Sequence, residues 1–453
     1  MTAGPHVRAR RRMRSKSART AGPSVRRSPR VSSGMLTVRT ATPRAVLALI
    51  VLVGVVVRPA DGQAARTDPV GTTYPSQKIV FRDPVSGKTV WRLTTDGTQQ
   101  GALNTLRDAS GMEANHFAPD NKRICYSKKY HANKPQGYYV MDVLTGVETY
   151  VGPGSNSWGM CAFSKTSNEL FFAYFKGGTS SSTRWMEVRA VNLGTFATRV
   201  LRQFEGAYGG PYLSVNADGT YLAVGFRVPN GDPADFVDDP VYHIILKTTD
   251  GSEHPNWKYD LTTPDEYEAG GFPHWHSTNP RIVRITRDQV LAIWNVDTLE
   301  KLPDPKFAGA ATTLMGGHAC WTVDNEYHFY SRGSAHPDCH PLDAGKGLNT
   351  RVVLDRPTEG YPYLYVTEMR NVASPGVYPA GTTDVVALHY TYNRTVNGEI
   401  RFGHPHPHFS RDGRYILWAT PVTNLSKGTP PGGGGDSVNK SDIFIVVLND
   451  EPA

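Results

Sequence analysis

Gly403-His404-Pro405-His406-Pro407-His408-Phe409-Ser410-Arg411-Asp412-Gly413 is the stretch on which the reading of this chain turns. Its second half is an aromatic residue, two polar residues and Asp-Gly. Asp-Gly tolerates the positive φ of a tight turn, so this half predicts a strand end followed by a hairpin. Its first half places a histidine at every second position. In an extended strand, side chains two apart point to the same side, so His404, His406 and His408 project together. Taken alone, the segment is either a histidine-rich loop at a sheet rim or a strand that supplies metal ligands.

The rest of the chain repeats the second half. Related copies are Phe117-Ala118-Pro119-Asp120-Asn121, Phe163-Ser164-Lys165-Thr166-Ser167-Asn168, Val215-Asn216-Ala217-Asp218-Gly219, Trp275-His276-Ser277-Thr278-Asn279-Pro280 and Trp321-Thr322-Val323-Asp324-Asn325. Each precedes an apolar strand, and most are followed by a second turn such as Asp142-Val143-Leu144-Thr145-Gly146. Two hairpins per repeat make a four-stranded antiparallel sheet, the unit of a β-propeller. The lead residues lie 46, 52, 60, 46 and 88 residues apart. The last gap is nearly two repeats, and strand-like runs between Arg351 and Tyr392 fill it with one degenerate blade. The expected fold is therefore all-β, a seven-bladed propeller of four-stranded antiparallel blades over residues 75–450. The N-terminal strands Lys78–Arg82 and Lys88–Thr94 are left without a blade of their own, as is the C-terminal run Ile443–Leu448. Pairing them closes the ring and removes the exposed sheet edges. Loop-like compositions at Val228–Val241, Ser334–Asn349 and Asn424–Asn439 read as insertions.

The formal charge of +8 does not describe this domain. Residues 1–64 hold 13 of the 49 basic residues and one of the 41 acids; what remains is 36 basic against 40 acidic residues, a net of −4. The nucleic-acid partner that a basic chain suggests is therefore not expected. Residues 1–34 are rich in Arg, Ser and Pro and read as a disordered basic extension, either ahead of a true start at Met35 or a basic tail. Residues 35–64 have Arg39 and Arg44, the apolar run Ala45–Val57 and Gly62-Gln63-Ala64, the pattern of a secretory signal peptide. An uncleaved anchor is the alternative. Export to the periplasm or the outside is the expectation, with no stable membrane insertion after cleavage. Four cysteines are too few for a disulfide scaffold, and with no Cys-x-x-Cys a thiolate zinc site is not expected. Cys320 and Cys339 can pair in an oxidising compartment; buried free thiols fit equally.

Counted back from the lead aromatic, position −1 is His116, His274 and His408 in three copies, position −3 is His318 and His406, and position −5 is His404. Odd offsets share one face of a strand, and equivalent propeller strands converge on the central axis. These histidines either form a functional site at one mouth of the channel or line it structurally. Glu113 reads as a surface acid or an orienting acceptor for a histidine. Asp232, Asp235, Asp238 and Asp239 read as a solvated loop, with calcium binding as the alternative. There is no Gly-x-Ser-x-Gly for a serine hydrolase.

Gly317-His318-Ala319-Cys320-Trp321-Thr322-Val323-Asp324 and the opening segment resemble two hallmark segments of the oligogalacturonate lyase family. The resemblance implies a seven-bladed propeller that binds a divalent metal, typically manganese, through three histidines and a glutamine, and that cleaves oligogalacturonides by β-elimination. Carried over by position, the metal ligands are His318, His404 and His406; manganese leads, with zinc, nickel or iron open. The family glutamine is replaced by Arg401, a permanent cation with no acceptor that suits a substrate carboxylate instead. The family's base position is Phe272, with His274 two residues on and on the same face, so His274 is the expected catalytic base. Tyr242 and His243 lie near the place of a family arginine. His116 and His408 are expected to contact substrate. The expected partner is an acidic oligosaccharide. A non-catalytic exported binding or scaffold propeller is the alternative.

Overall fold

The structure is a computed structural model. It describes residues 67–95, 116–128, 134–154, 161–176, 185–228, 241–258, 273–288, 290–309, 314, 319–330, 337–355, 363–372, 384–388, 394–396, 399–401, 406–420 and 442–448. The extension, the signal-like segment, Glu113 and the acids of 232–239 lie outside them. The chain divides into two units, Met1–Asp61 and Gly62–Ala453. The second is an all-β, seven-bladed propeller. Among the described residues no helix is long and apolar enough to cross a membrane.

Blade 1 runs from the edge bridge at Phe117 through Arg123–Lys128, Gly137–Asp142 and Glu148–Pro153, with Thr73–Tyr74 added outside. Blade 2 is Cys161–Phe163, Glu169–Lys176, Trp185–Asn192 and Thr198–Glu205. Blade 3 is Tyr208–Val215, Tyr221–Arg227 and Val241–Lys247; blade 4 is His274–Trp275, Ile282–Arg287 and Val290–Asn295. In both of these, the outer edge is reduced to isolated bridges. Blade 6 is Pro337–Cys339, Arg351–Asp355, Tyr363–Glu368 and Asp384–Leu388.

Blade 7 closes the ring as expected. His408–Phe409, Tyr415–Thr420 and Asp442–Val447 come from the C-terminal part; Thr89–Arg92 and Ile79–Arg82 complete a five-stranded sheet from the other end of the domain. The seam pairs Phe444 with Arg92 and Val446 with Val90. Arg92 also donates to the buried carboxylate of Asp442, and Thr94 Oγ1 accepts the Ile443 N–H at 3.0 Å.

Four of the six quoted turns share one physical form. Asn121, Gly219, Asn325 and Gly413 all have positive φ (56°, 75°, 55° and 68°) at the equivalent place. Each donates its N–H three residues back, to Ala118, Asn216, Thr322 and Ser410. The preceding acid holds the turn: Asp412 Oδ1 accepts from Ser410 Oγ at 2.5 Å and from Arg414 N at 3.1 Å. The lead aromatic of each copy then packs between blades. Phe117, Phe163, Trp275, Trp321 and Phe409 are all buried, each contributing about 2–3 kcal/mol by leaving water. Correspondingly, the apolar clusters span adjacent blades, as where Phe117, Tyr126 and Tyr139 of blade 1 meet Leu417 and Ile445 of blade 7.

Two details depart from expectation. Ser334–Asn349 is not simply an insertion, because Pro337–Cys339 is the inner strand of blade 6, paired with Val352–Leu354. His340–Thr350 is then a long version of the repeated turn, with His340 N–H donating to Arg351 O at 2.8 Å and Gly345 at φ 73°. Blade 5 is also not a regular antiparallel blade. Trp321 and Cys339 are only 18 residues apart, too few for three further strands with their turns. Lys306–Gly309, which precedes the inner strand Ala319–Trp321, instead lies along Tyr327–Tyr330 and so pairs in parallel.

Candidate functional site

Position −1 of the inner strands is a slot that recurs around the ring. Blade by blade it holds His116, Ala162, Ser214, His274, Cys320, Asp338 and His408, and all seven are buried. His116 and His408 come together across blades 1 and 7, with ring centroids 5.7 Å apart. On its other side His408 faces blade 6: its Nδ1 is 3.8 Å from Asp338 Oδ2. The same carboxylate oxygen accepts the Phe409 N–H at 2.8 Å, which fixes Asp338 against the inner strand of blade 7. Among the described residues Asp338 Oδ1 has no hydrogen-bond partner, an arrangement that is costly for a buried carboxylate.

His274 belongs to a different group. It sits directly across the ladder from Arg284, a guanidinium that is 2% exposed. Arg284 lies 5.2 Å from the ring centroid of Trp321 in blade 5, and His328 meets the same indole edge-on at 5.2 Å. Burial, with the nearby charges of Arg284 and His274, pushes the His328 imidazole well below the ordinary histidine range, so His328 is neutral at pH 7. In blade 3, His243 stands opposite Gly225. A Cβ at Gly225 would come within 2.9 Å of the His243 ring, so a side chain there would displace the imidazole.

A third group joins blades 1 and 2. His116 Nδ1 is 3.2 Å from the carbonyl of Cys125, and Cys125 Sγ donates to Cys161 O at 3.4 Å. The ligand atoms of His116, Cys125 and Cys161 lie within 4.8 Å of one another, the single group of this kind among the described residues. Burial, and then the neighbouring Cys125 thiol, push the Cys161 thiol upward. The other two cysteines form a disulfide, Cys320–Cys339, which ties the inner strands of blades 5 and 6.

Of the residues predicted from sequence, His318, His404 and Phe272 lie outside the described residues. Arg401 ends the short strand Glu399–Arg401, for which only the backbone is described. His406 is 2% exposed and has φ +47°. Histidine enters that left-handed region more often than most residues, though at a cost. His116, His274 and His408 occupy the shared slot as their spacing predicts, and the structure unites the first with the last. Sequence reasoning missed Asp338, Arg284 and His328. Asp338 has the same −1 offset, but from Cys339 rather than from an aromatic. Arg284 and His328 lie on second strands, where counting along inner strands does not reach.

A seven-bladed propeller with histidines in its inner-strand slots is thus the class that fold and site define. No protein-family model and no curated protein sequence matches the chain. Among solved structures it is similar to an oligogalacturonate lyase in complex with manganese, with 18% identity, 84% of this chain and 99% of that chain covered, and a TM-score of 0.50. It is also similar to an oligogalacturonate lyase from Vibrio parahaemolyticus, with 14% identity, the same 84% and 99% coverage and a TM-score of 0.47. At 18% identity the first of these likenesses shows the propeller fold alone.

Proposed function

We propose that this chain is a divergent member of the oligogalacturonate lyase family, an exported, metal-dependent lyase that cleaves uronate-containing oligosaccharides by β-elimination. The observation that carries the metal reading is His406. A buried histidine held in left-handed backbone between two prolines, in a segment with imidazoles on either side, is strain of the kind that persists at ligand clamps. Three imidazoles, from His318, His404 and His406, are a donor set suited to manganese, zinc, nickel or iron. A divalent cation there supplies charge that neutralises a uronate carboxylate and acidifies the C–H next to it.

The chain's own residues would do the rest. Arg284 is a buried permanent cation across the ladder from His274, and with Arg401 it favours an anionic substrate. His274 removes the proton α to the carboxylate. The electrons of that C–H bond form the new C=C bond as the glycosidic C–O bond breaks, and the leaving oxygen takes up a proton. His408 contacts the sugar, with Asp338 beside its ring, while His116 stands next to it, turned toward Cys125. The buried disulfide fits folding in an oxidising compartment, in keeping with export.

The test is to incubate the purified protein with oligogalacturonides and Mn²⁺ and follow the ultraviolet absorbance of the conjugated product. Absorbance that grows with time and disappears with His274→Ala or with chelator supports the reading. No absorbance change with any uronate oligosaccharide defeats it.

A further inference from the structure

We infer a second metal site, specific for a thiophilic ion of the zinc class, held by His116, Cys125 and Cys161 between blades 1 and 2. His116 and Cys125 are neighbours across the ladder, where the Cys125 N–H donates to His116 O at 3.0 Å. Cys161 comes from the inner strand of the next blade. Their relative exposures are 0%, 1% and 1%. Two sulfurs and one imidazole therefore face one another in a dry seam, with ligand atoms no more than 4.8 Å apart. Tetrahedral zinc, with Zn–S of about 2.3 Å and Zn–N of about 2.0 Å, needs such atoms about 3.5–3.8 Å apart. Small side-chain rotations close the difference.

The imidazole is already set for the task. Its Nδ1 lies against the carbonyl of Cys125, and a carbonyl only accepts, so Nδ1 carries the proton and Nε2 the lone pair. Metal-bound histidines are usually oriented by a bond of this kind. The fourth coordination position falls to water. Two thiolates select zinc or copper(I) over manganese, magnesium or calcium, so this site differs in chemistry from the imidazole site proposed above and does not depend on it. Its consequence is structural. It would bind blade 1 to blade 2 as the disulfide binds blade 5 to blade 6.

Cobalt(II) is the probe. Added to the full-length chain purified under reducing conditions, it is expected to give thiolate-to-cobalt charge-transfer absorption in the near ultraviolet with tetrahedral bands in the visible. These bands should saturate at one equivalent and be displaced by Zn²⁺. They should vanish in Cys161→Ser and persist in a His318→Ala/His404→Ala variant, which removes ligands of the other site. Zn²⁺ should also protect both thiols of the native wild-type chain from alkylation, a reading that requires no variant. Absence of charge-transfer bands in wild type overturns the proposal. So does their survival in Cys161→Ser, or a Cys125–Cys161 disulfide in the protein as isolated.

Discussion

Cys320 and Cys339 are 19 residues apart and fully buried, and their bond joins the inner strands of two blades. Closing a loop of that length in the unfolded chain removes an entropy worth about 3 kcal/mol at room temperature. For a domain of about 375 residues, with an unfolding entropy of about 2.1 cal/mol/K per residue, that loss lowers Tm by about 4 °C. Reduction of the native protein removes the constraint alone. The Cys320→Ala/Cys339→Ala variant also removes two buried sulfurs, so it is expected to lose a further ~1–2 kcal/mol through the cavity left behind. The inner strand of blade 5 keeps its ladder to Tyr327–Tyr330 without the bond. The metal affinity and turnover proposed above are therefore expected to stay within a factor of a few well below Tm. The assay is calorimetry with and without reductant, beside a thiol count in denaturant. Two thiols, Cys125 and Cys161, are expected before reduction and four after. Four reactive thiols in protein isolated under oxidising conditions, or an unchanged Tm in the double variant, would refute the reasoning.

Three further outcomes are expected. At Gly413, with φ +68°, a Cβ would come within 2.4 Å of His340 Nε2; Gly413→Ala should cost about 2–4 kcal/mol in a denaturant titration from backbone strain and overpacking. Gly87→Ala, at φ +70° but in open space, should cost only the strain of about 1 kcal/mol. Glu148 is buried with bonds to Lys128 (2.6 Å) and Lys134 (2.8 Å); Glu148→Gln should destabilise blade 1 by about 3–5 kcal/mol, because two buried cations lose their counter-charge, and an unchanged Tm would contradict this. Burial, and then the charge of Arg351, lower the His340 pKa to about 4. The unfolded chain, titrating near ~6.5, takes up this proton first, so stability should fall as pH drops from about 6.5 to 4, by roughly 2 kcal/mol after screening. His340→Gln should flatten that slope. Asp343 is held low by Arg351 and Lys346 despite its burial, so its contribution is lost only at more acid pH.

The ring and its closure were legible because they rest on local chemistry. An Asp or Asn turn with positive φ recurs at the first hairpin of four blades, and unpaired strands at both ends of a propeller have one economical partner. The sixth blade was harder to read. Cys339 stands where other copies have an aromatic or valine, and His340–Thr350 stretches the turn, so Pro337–Cys339 was hidden in what reads as an insertion. Asp338 was hidden with it. The disulfide stayed open because cysteine spacing does not reveal which strands become neighbours. Arg284 and His328 escaped for a different reason. They meet His274 and Trp321 across the ladder, and registers between strands are set by turn lengths and packing rather than by periodicity along one strand.

The seven −1 slots also explain why fold alone does not carry function here. The backbone presents the same position seven times, and the chain fills it with imidazole in blades 1, 4 and 7, a thiol-derived crosslink in blade 5, a carboxylate in blade 6 and small residues in blades 2 and 3. A purely structural lining has no need of such variety, since small or apolar side chains would fill the slots without desolvation cost. Charge divides unevenly around the ring. Burial and the nearby cation Arg284 depress His328 on the arc of blades 4 and 5, while Asp338 lies beside His408 on the arc of blades 6 and 7. A ligand spanning the channel would meet positive charge at one end and an acid-oriented imidazole at the other. The acidic sugar proposed above, with a carboxylate to be held and hydroxyl groups to be hydrogen-bonded, would suit that polarity in a domain whose own net charge of −4 otherwise repels anions.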